Sequence, residues 1–125
     1  MTYSPRHMAR EHERPPVDLT PIGFEVLLSL AGGPRHGYGI KLDIEERTAG
    51  ELSLGSGTLY QAIQRLEREG LIAEASDSRA RGDARRGRTY SLEPLGRVSL
   101  ARHLKRLSRS VEYARAHKLL PTTRS

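Results

Sequence analysis

The segment over residues 56–70 constrains the fold of this chain more than any other feature of its sequence. Apolar side chains recur there at i, i+3, i+4 and i+7, which puts them on one face of an amphipathic helix. These apolar residues are Leu59, Ala62, Ile63 and Leu66. Ser56 is suited to cap a helix that starts near Gly57, and Gly70 is suited to the left-handed residue after its end. The pattern predicts a helix with one buried face and one open polar face.

Two shorter helical segments precede this amphipathic helix. Thr20 followed by Pro21 is a typical helix start, and Gly32-Gly33-Pro34 is a typical stop. The second segment, about 37–48, has a mixed periodicity that fits either a helix or an alternating strand. The charged run that ends at Arg47, followed by Ala49-Gly50, favours a helix that ends at a glycine.

Two short strand candidates follow the amphipathic helix directly. Residues 71–74 and 88–92 have strand-like composition, and a polar loop from 76 to 87 separates them. The pattern predicts a β-hairpin with a long tip. Five arginines occupy the tip and its exit, namely Arg79, Arg81, Arg85, Arg86 and Arg88.

A long helix is predicted from Pro94 to about Ala116. It carries a heptad seam sustained for about two heptads. The heptad seam consists of Leu100, Leu104, Leu107, Val111 and Ala114. A helix of roughly 33 Å has little else in a domain of this size to lie against, so a second copy of the same helix is its simplest partner. The alternative is that the seam packs back on its own domain.

Three helices, a hairpin and a final helix are the elements of a winged helix-turn-helix with a long C-terminal helix. The predicted fold class is therefore mainly α with a small β-hairpin. In this fold the third helix enters the major groove of DNA and the hairpin tip forms the wing. The expected organisation is a flexible N-terminal arm (1–18), a DNA-binding domain (19–93), a dimerisation helix (94–118) and a tail (119–125).

The distribution of charge favours a polyanionic partner. The net charge is +6, but residues 76–125 carry thirteen basic and four acidic side chains, whereas residues 19–75 carry five basic and eight acidic ones. Such asymmetry is typical of proteins that bind nucleic acid. A solvated basic surface that aids solubility would look the same from charge alone.

Several classes of protein and site are disfavoured by composition. The chain has no cysteine, which excludes disulfides and thiolate metal sites. Its five histidines are scattered without metal-ligand spacing, and no catalytic triad or paired carboxylates stand out, so we expect no metal, no cofactor and no enzyme activity. No segment approaches the length of a membrane span, and the N-terminus lacks the apolar core of a signal peptide, which favours a cytoplasmic protein.

Three runs resemble those of PadR-family transcriptional regulators. Residues 36–40 (HGYGI) resemble the family's HGY segment. Residues 56–72, with SGTLY and then RLEREGLI, are similar to its GTLY…RLExxGLI stretch, and residues 88–96 resemble its wing exit. Each run alone is weak, but three in order at the right spacing are specific. Lys41, where the family usually has an apolar residue, and the arginine-rich wing are departures from the pattern. The single C-terminal helix resembles the shorter of the family's architectures, in which that helix builds the homodimer.

The resemblance and the open polar face together predict the DNA contacts. Glutamine can pair with adenine and arginine with guanine in the major groove, while hydroxyl and backbone N–H groups suit phosphates. The predicted contacts on the third helix are Ser56, Gly57, Thr58, Tyr60, Gln61, Gln64 and Arg65. For Tyr60 the alternative is packing on the helix-turn-helix core. The five arginines of the wing are expected to bind phosphates or enter the minor groove.

The resemblance implies a sequence-specific regulator of double-stranded DNA, most often a repressor, that acts as a homodimer on a palindromic operator. It also raises the hypothesis of a small-molecule effector, of unknown identity, in a cavity between the dimer halves. The alternative from the residues alone is a basic nucleic-acid-associated structural protein without sequence preference. A third hypothesis is an interaction module whose long helix pairs with an acidic protein.

Overall fold

A computed structural model describes residues 14–75 and 87–121 of the chain. The four helices are α1 (Pro21–Ser29), α2 (Gly37–Arg47), α3 (Ser56–Arg68) and α4 (Pro94–Ala116). The three strands are β1 (Arg35–His36), β2 (Ile72–Glu74) and β3 (Thr89–Leu92). The predicted class, mainly α with a small hairpin and a long C-terminal helix, is confirmed. Within the described residues, no helix is both long enough and apolar enough to cross a bilayer.

Helix α1 begins where the sequence predicts. The Thr20 hydroxyl accepts a hydrogen bond from the Gly23 N–H at 2.9 Å, and Pro21 occupies the first turn, where its missing N–H is not needed. The helix buries Val26 and Leu27 completely. It thereby supplies the centre of the core against which α2, α3 and the start of α4 pack.

The second segment is a helix, as the charged run favoured, and Gly50 follows its end with a φ of 82°, but an alanine precedes it in the same conformation. Ala49 has a φ of 53° and takes the left-handed position itself. The Gly50 N–H donates to the Glu45 carbonyl at 2.8 Å, and the Ala49 N–H donates to the Glu46 carbonyl at 3.2 Å. These two bonds satisfy the last carbonyls of α2, so an alanine is held in a conformation that glycine adopts more easily.

Lys41 is accommodated at the edge of α2 without disturbing its packing. Its Nζ atom lies 2.8 Å from Glu45 Oε2, one helical turn away. Ile40 and Ile44 remain fully buried. A long side chain can keep its ammonium group near the surface, so the departure from the family pattern leaves the core of this helix intact.

Helix α3 matches the prediction except for its first residue. It begins at Ser56 rather than near Gly57, and the N-cap is Gly55, which has no side chain to cap with. Leu59, Ile63 and Leu66 are buried, as the apolar stripe predicts. Gly70 follows the helix with a φ of 79°, which confirms its expected place.

The sheet contains one strand that the sequence did not reveal. The hairpin is confirmed, because β2 and β3 pair antiparallel with Ile72 opposite Leu92. Strand β1 joins the other edge of β3, with Arg35 opposite Tyr90, and gives the order β1-β3-β2. Two residues are too few to show alternation, which is why β1 escapes detection. Of the five wing arginines, Arg79, Arg81, Arg85 and Arg86 lie outside the described residues.

The predicted boundary between arm and domain at residue 18 moves toward the N-terminus. The Val17 N–H donates to Ser99 Oγ of α4 at 2.9 Å. Asp18 forms an ion pair with Arg102 of the same helix. Arg14 donates to the Glu69 carbonyl at the end of α3, at 3.0 Å. These contacts make residues 14–18 part of the folded unit.

A polar network fixes α2 against α1. The Arg47 guanidinium lies 2.7 Å from Glu25 Oε1 and 2.8 Å from both Asp43 Oδ2 and Ser29 Oγ. The Ser29 hydroxyl also donates to Asp43, at 2.8 Å. Burial acts to raise the pKa of Asp43, but hydrogen bonds from Arg47 and Ser29 outweigh it and hold the pKa below its ordinary value. The network therefore depends on an ionised Asp43.

Candidate nucleic-acid interface

One face of α3 carries every residue predicted there to contact DNA, and that face is open to solvent. The exposed residues are Ser56, Gly57, Thr58, Tyr60, Gln61, Gln64 and Arg65. The opposite face is the buried stripe that anchors the helix on the core. Arg68, which was not among the predicted contacts, extends the same open face by one turn. The arrangement offers donors and acceptors along a rigid rod about 13 residues long.

The N-terminus of α3 is unobstructed. The first intrahelical bond runs from the Leu59 N–H to the Gly55 carbonyl at 3.0 Å, so the N–H groups of Ser56, Gly57 and Thr58 are not used within the helix. A Cβ atom added at Gly55 or at Gly57 would meet nothing within 4 Å. Free N–H groups at the positive end of a helix dipole suit an approaching phosphate.

Tyr60 takes the alternative position that the sequence left open, while keeping part of its ring exposed. Its hydroxyl end lies over Gly37, the first residue of α2. The side chain nevertheless remains 41% exposed. Tyr60 therefore contacts the helix-turn-helix core and borders the open face of α3 at once.

Arg65 is already engaged within α3. Its Nε atom lies 3.2 Å from Glu69 Oε2, one turn farther along. The pair is largely exposed, and pairs of this kind contribute little to stability. The guanidinium is thus held near the C-terminal end of α3 but can exchange partners at small cost.

A cleft of about 230 Å³ separates α3 from the base of the wing. Its lining includes Gln64 and Glu67 from α3 and Arg88 and Tyr90 from the wing. Arg88 points largely into solvent, 3.7 Å from Glu74 on the neighbouring strand. Burial, reinforced by the negative charge of Glu67, raises the pKa of Tyr90. The structure thereby brings α3 and the exit of the wing to the same side of the molecule.

The heptad seam is divided between two environments. Leu100 lies in the core of its own chain, so this residue is not open to a partner. Leu104 and Leu107 are exposed, and Val111 and Ala114 are half-buried. The apolar stripe available on α4 therefore begins one turn later than the sequence predicts.

Comparison with known proteins gives the following matches. The sequence profile described as "Transcriptional regulator PadR-like family" matches residues 26–102. Over 84 residues the chain is 38% identical to an uncharacterized 37.1 kDa protein in transposon TN4556 of Streptomyces fradiae. That match covers 67% of this chain but 22% of the relative, so the chain spans about a fifth of the length of this curated relative.

Solved structures of regulators share the fold at low sequence identity. A transcriptional regulator from Clostridium thermocellum superposes with a TM-score of 0.59 and 19% identity, covering 93% of this chain and 97% of that one. RosR from H. salinarum gives 0.58 and 22%, covering 82% and 97%. The adhesin competence repressor AdcR from Streptococcus pyogenes gives 0.56 and 17%, covering 93% and 76%. These matches confirm the winged helix-turn-helix architecture.

Proposed function

The chain belongs to the PadR-like family of transcriptional regulators, and on that premise we propose that it recognises a specific double-stranded DNA sequence as a homodimer. Membership of this family implies DNA binding and no enzymatic activity. The observation that carries the finer proposal is the open polar face of α3, which lies beside the wing and has an unobstructed N-terminus. A rigid helix with these properties fits the major groove.

Different residues of this face are suited to different parts of DNA. The first turn, with Ser56 and Gly57, is suited to a phosphate because it presents backbone N–H groups and a hydroxyl. Gln61 and Gln64 can each pair with the edge of an adenine, and Thr58 can contact a thymine methyl group. Arg65 can pair with a guanine after it leaves Glu69.

The wing adds contacts that depend on charge. Arg88 lies at its base, and Arg79, Arg81, Arg85 and Arg86 are the predicted phosphate contacts of its tip. Each phosphate neutralised steepens the slope of log affinity against log salt by about 0.9. Replacing Arg85 and Arg86 with alanine should therefore weaken binding to all sequences and flatten this slope by about two. An unchanged slope would contradict the wing contact.

The homodimer is supported by the part of the heptad seam that this chain leaves exposed. Leu104 and Leu107 lie on a helix that runs beyond its own domain, which favours pairing with the same helix of a second copy. A two-fold dimer would present two α3 helices to half-sites about 34 Å apart. The operator would then be palindromic.

We infer a repressor that occupies its operator and is released by a small-molecule effector held between the dimer halves. Repression and effector release rest on the family resemblance.

The experiment that tests the proposal is genomic footprinting with the purified protein, starting at the promoter of its own gene. We expect a palindromic footprint that resists excess non-specific competitor DNA. Gln61→Ala should weaken this footprint at defined base pairs, whereas Glu46→Gln, an exposed change on α2, should leave it unchanged. Salt-dependent binding without any preferred sequence would instead favour the basic structural protein. A monomer that forms a heterodimer with an acidic protein would favour the interaction module.

A further inference from the structure

A close contact joins α3 to the start of α2. A Cβ atom built on Gly37 would lie 2.5 Å from Oη, 3.0 Å from Cζ and 3.3 Å from Cε1 of Tyr60. The first of these distances is far inside van der Waals contact. No residue with a side chain therefore fits at position 37 unless the Tyr60 ring moves.

Space, and not backbone conformation, distinguishes glycine at this position, because any Cβ would displace the hydroxyl end of the Tyr60 ring. Gly37 does not have a positive φ, and it lies in the first turn of α2 as an ordinary helical residue. Alanine would be the better helix former there. The missing side chain provides room for the ring of Tyr60.

Gly37 is also connected to the wing. The preceding residue, His36, belongs to β1 and pairs with Thr89 of β3. Their side chains approach within 3.2 Å, from His36 Nδ1 to Thr89 Oγ1. Strand β3 is one side of the wing, and β1 pairs with it. Gly37, which lies under the Tyr60 ring, directly follows β1 in the chain and is therefore covalently joined to the strand that supports the wing.

We propose that Gly37 and Tyr60 form a positioning contact that sets the position of the wing relative to α3. The contact holds the two DNA-reading elements at the separation at which both can engage one duplex. Tyr60 is in this view a positioning residue whose effect on DNA is transmitted through β1, and not a reader of bases. The inference rests on the proposed DNA-binding function and extends it by one specificity-determining pair.

The test compares Gly37→Ala with Gly39→Ala, a matched change two residues along the same helix. A Cβ at Gly39 would meet only Arg35 Cβ, at an ordinary 3.8 Å. Affinities for the operator and for a non-specific duplex are measured at the same salt, together with thermal unfolding. Gly37→Ala should lower the ratio of specific to non-specific affinity by about tenfold, and Gly39→Ala by less than about twofold.

A second variant keeps the inference testable if Gly37→Ala does not fold. Tyr60→Ala removes the ring, so the wing should no longer be held in its position relative to α3 and should lose some of its phosphate contacts. We expect a flatter slope of log affinity against log salt. A base-reading tyrosine would lose affinity without changing this slope. In the Tyr60→Ala background, Gly37→Ala should cause no further loss because the ring that it displaces is gone.

The outcomes separate this inference from the proposed function. A wild-type protein without any preferred DNA sequence overturns the proposed function. A wild-type protein that binds its operator while Gly37→Ala behaves like Gly39→Ala overturns the positioning contact alone. Additive losses in the double variant, or an unchanged salt slope in Tyr60→Ala, also overturn it.

Discussion

Helices α3 and α4 carry the same kind of apolar stripe, yet they use it differently. Leu59 and Ile63 of α3 are each about 1% exposed and Leu66 is 4% exposed, so the leucines and the isoleucine of that stripe all lie in the core of their own chain. On α4 the stripe changes environment within one turn, from Leu100 at 5% exposed to Leu104 at 38% and Leu107 at 41%. The spacing of apolar residues reports that a helix has a face to bury, but it does not identify the partner.

The length of the neighbouring helix explains the difference. Helix α1 packs on both α3 and α4, but with nine residues it spans only about 13 Å, whereas the 23 residues of α4 span about 34 Å. The last ring contact between them is the stack of His103 on Phe24, with ring centroids 4.5 Å apart. Beyond that point α4 extends past the rest of its own domain.

The largest effect is expected for the free energy of unfolding when the same truncation is made on the two helices, as Leu59→Ala on α3 and as Leu107→Ala on α4. Leu59→Ala should reduce the free energy of unfolding by about 2–5 kcal/mol because it leaves a cavity in the core. Urea unfolding at several protein concentrations measures both variants. The loss for Leu107→Ala should be smaller and should depend on concentration, as expected for an intermolecular contact. Equal losses at every concentration would contradict the division between the two helices.

The second prediction concerns association. Leu104→Gln combined with Leu107→Gln should raise the dimer dissociation constant by more than about tenfold, since the proposed dimer would bury the apolar area of four leucines. Lys105→Gln combined with Arg109→Gln makes the same number of changes on the adjoining faces of α4 and should leave the proposed dimer intact. Sedimentation velocity distinguishes monomer from dimer. If both pairs dissociate the protein equally, the heptad seam is not the interface.

A third, smaller effect tests the polar network that holds α2 on α1. Asp43, whose side chain is 19% exposed, has a lowered pKa, so its ionised form stabilises the fold above the unfolded pKa of about 3.9. This stabilisation is lost as the pH falls through the lowered pKa of the folded state. Asp43→Asn should cost about 1–3 kcal/mol at neutral pH, and the difference from wild type should shrink as the solution is acidified below about pH 4.

The control for Asp43→Asn is Glu46→Gln, an exposed carboxylate on the same helix. Its stability should follow that of wild type across the pH range. Denaturant unfolding at a series of pH values provides the measurement. A constant difference between Asp43→Asn and wild type down to strongly acidic pH would show that the charge of Asp43 has no part in the network.

The smallest expected change in stability comes from glycine substitutions at two helix ends that have the same backbone geometry. Ala49 after α2 and Lys118 after α4 both have a positive φ, 53° and 62°. Ala49→Gly should stabilise the fold by about 0.5–1 kcal/mol because it relieves a left-handed alanine inside the folded unit. Lys118→Gly should change global unfolding by less than about 0.3 kcal/mol, since the tip of α4 can open locally. Thermal unfolding resolves the two, and equal shifts would argue that the tip unfolds with the core.

Local sequence patterns were sufficient for most of the elements. Thr20-Pro21 predicted the start of α1, the apolar stripe ending at Gly70 predicted α3, and the two short runs around the polar loop predicted the hairpin. Each of these signals is encoded within a few neighbouring residues, through a cap, a left-handed turn or a periodicity. The open face of α3 followed in turn, because fixing the buried face of a helix also fixes the opposite one.

Contacts between residues distant in sequence were decided only by the tertiary structure. The pairing of β1 with β3, the packing of residues 14–18 on α3 and α4, and the burial of Leu100 each depend on which elements happen to lie opposite one another. The contact of the Tyr60 ring with Gly37 is the clearest case, since 23 positions separate the two residues. The HGY run alone does not indicate which side chain its glycine makes room for. The sequence by itself determined which surfaces this protein must cover, and the tertiary structure decided what covers them, because burial is a property of three-dimensional neighbours.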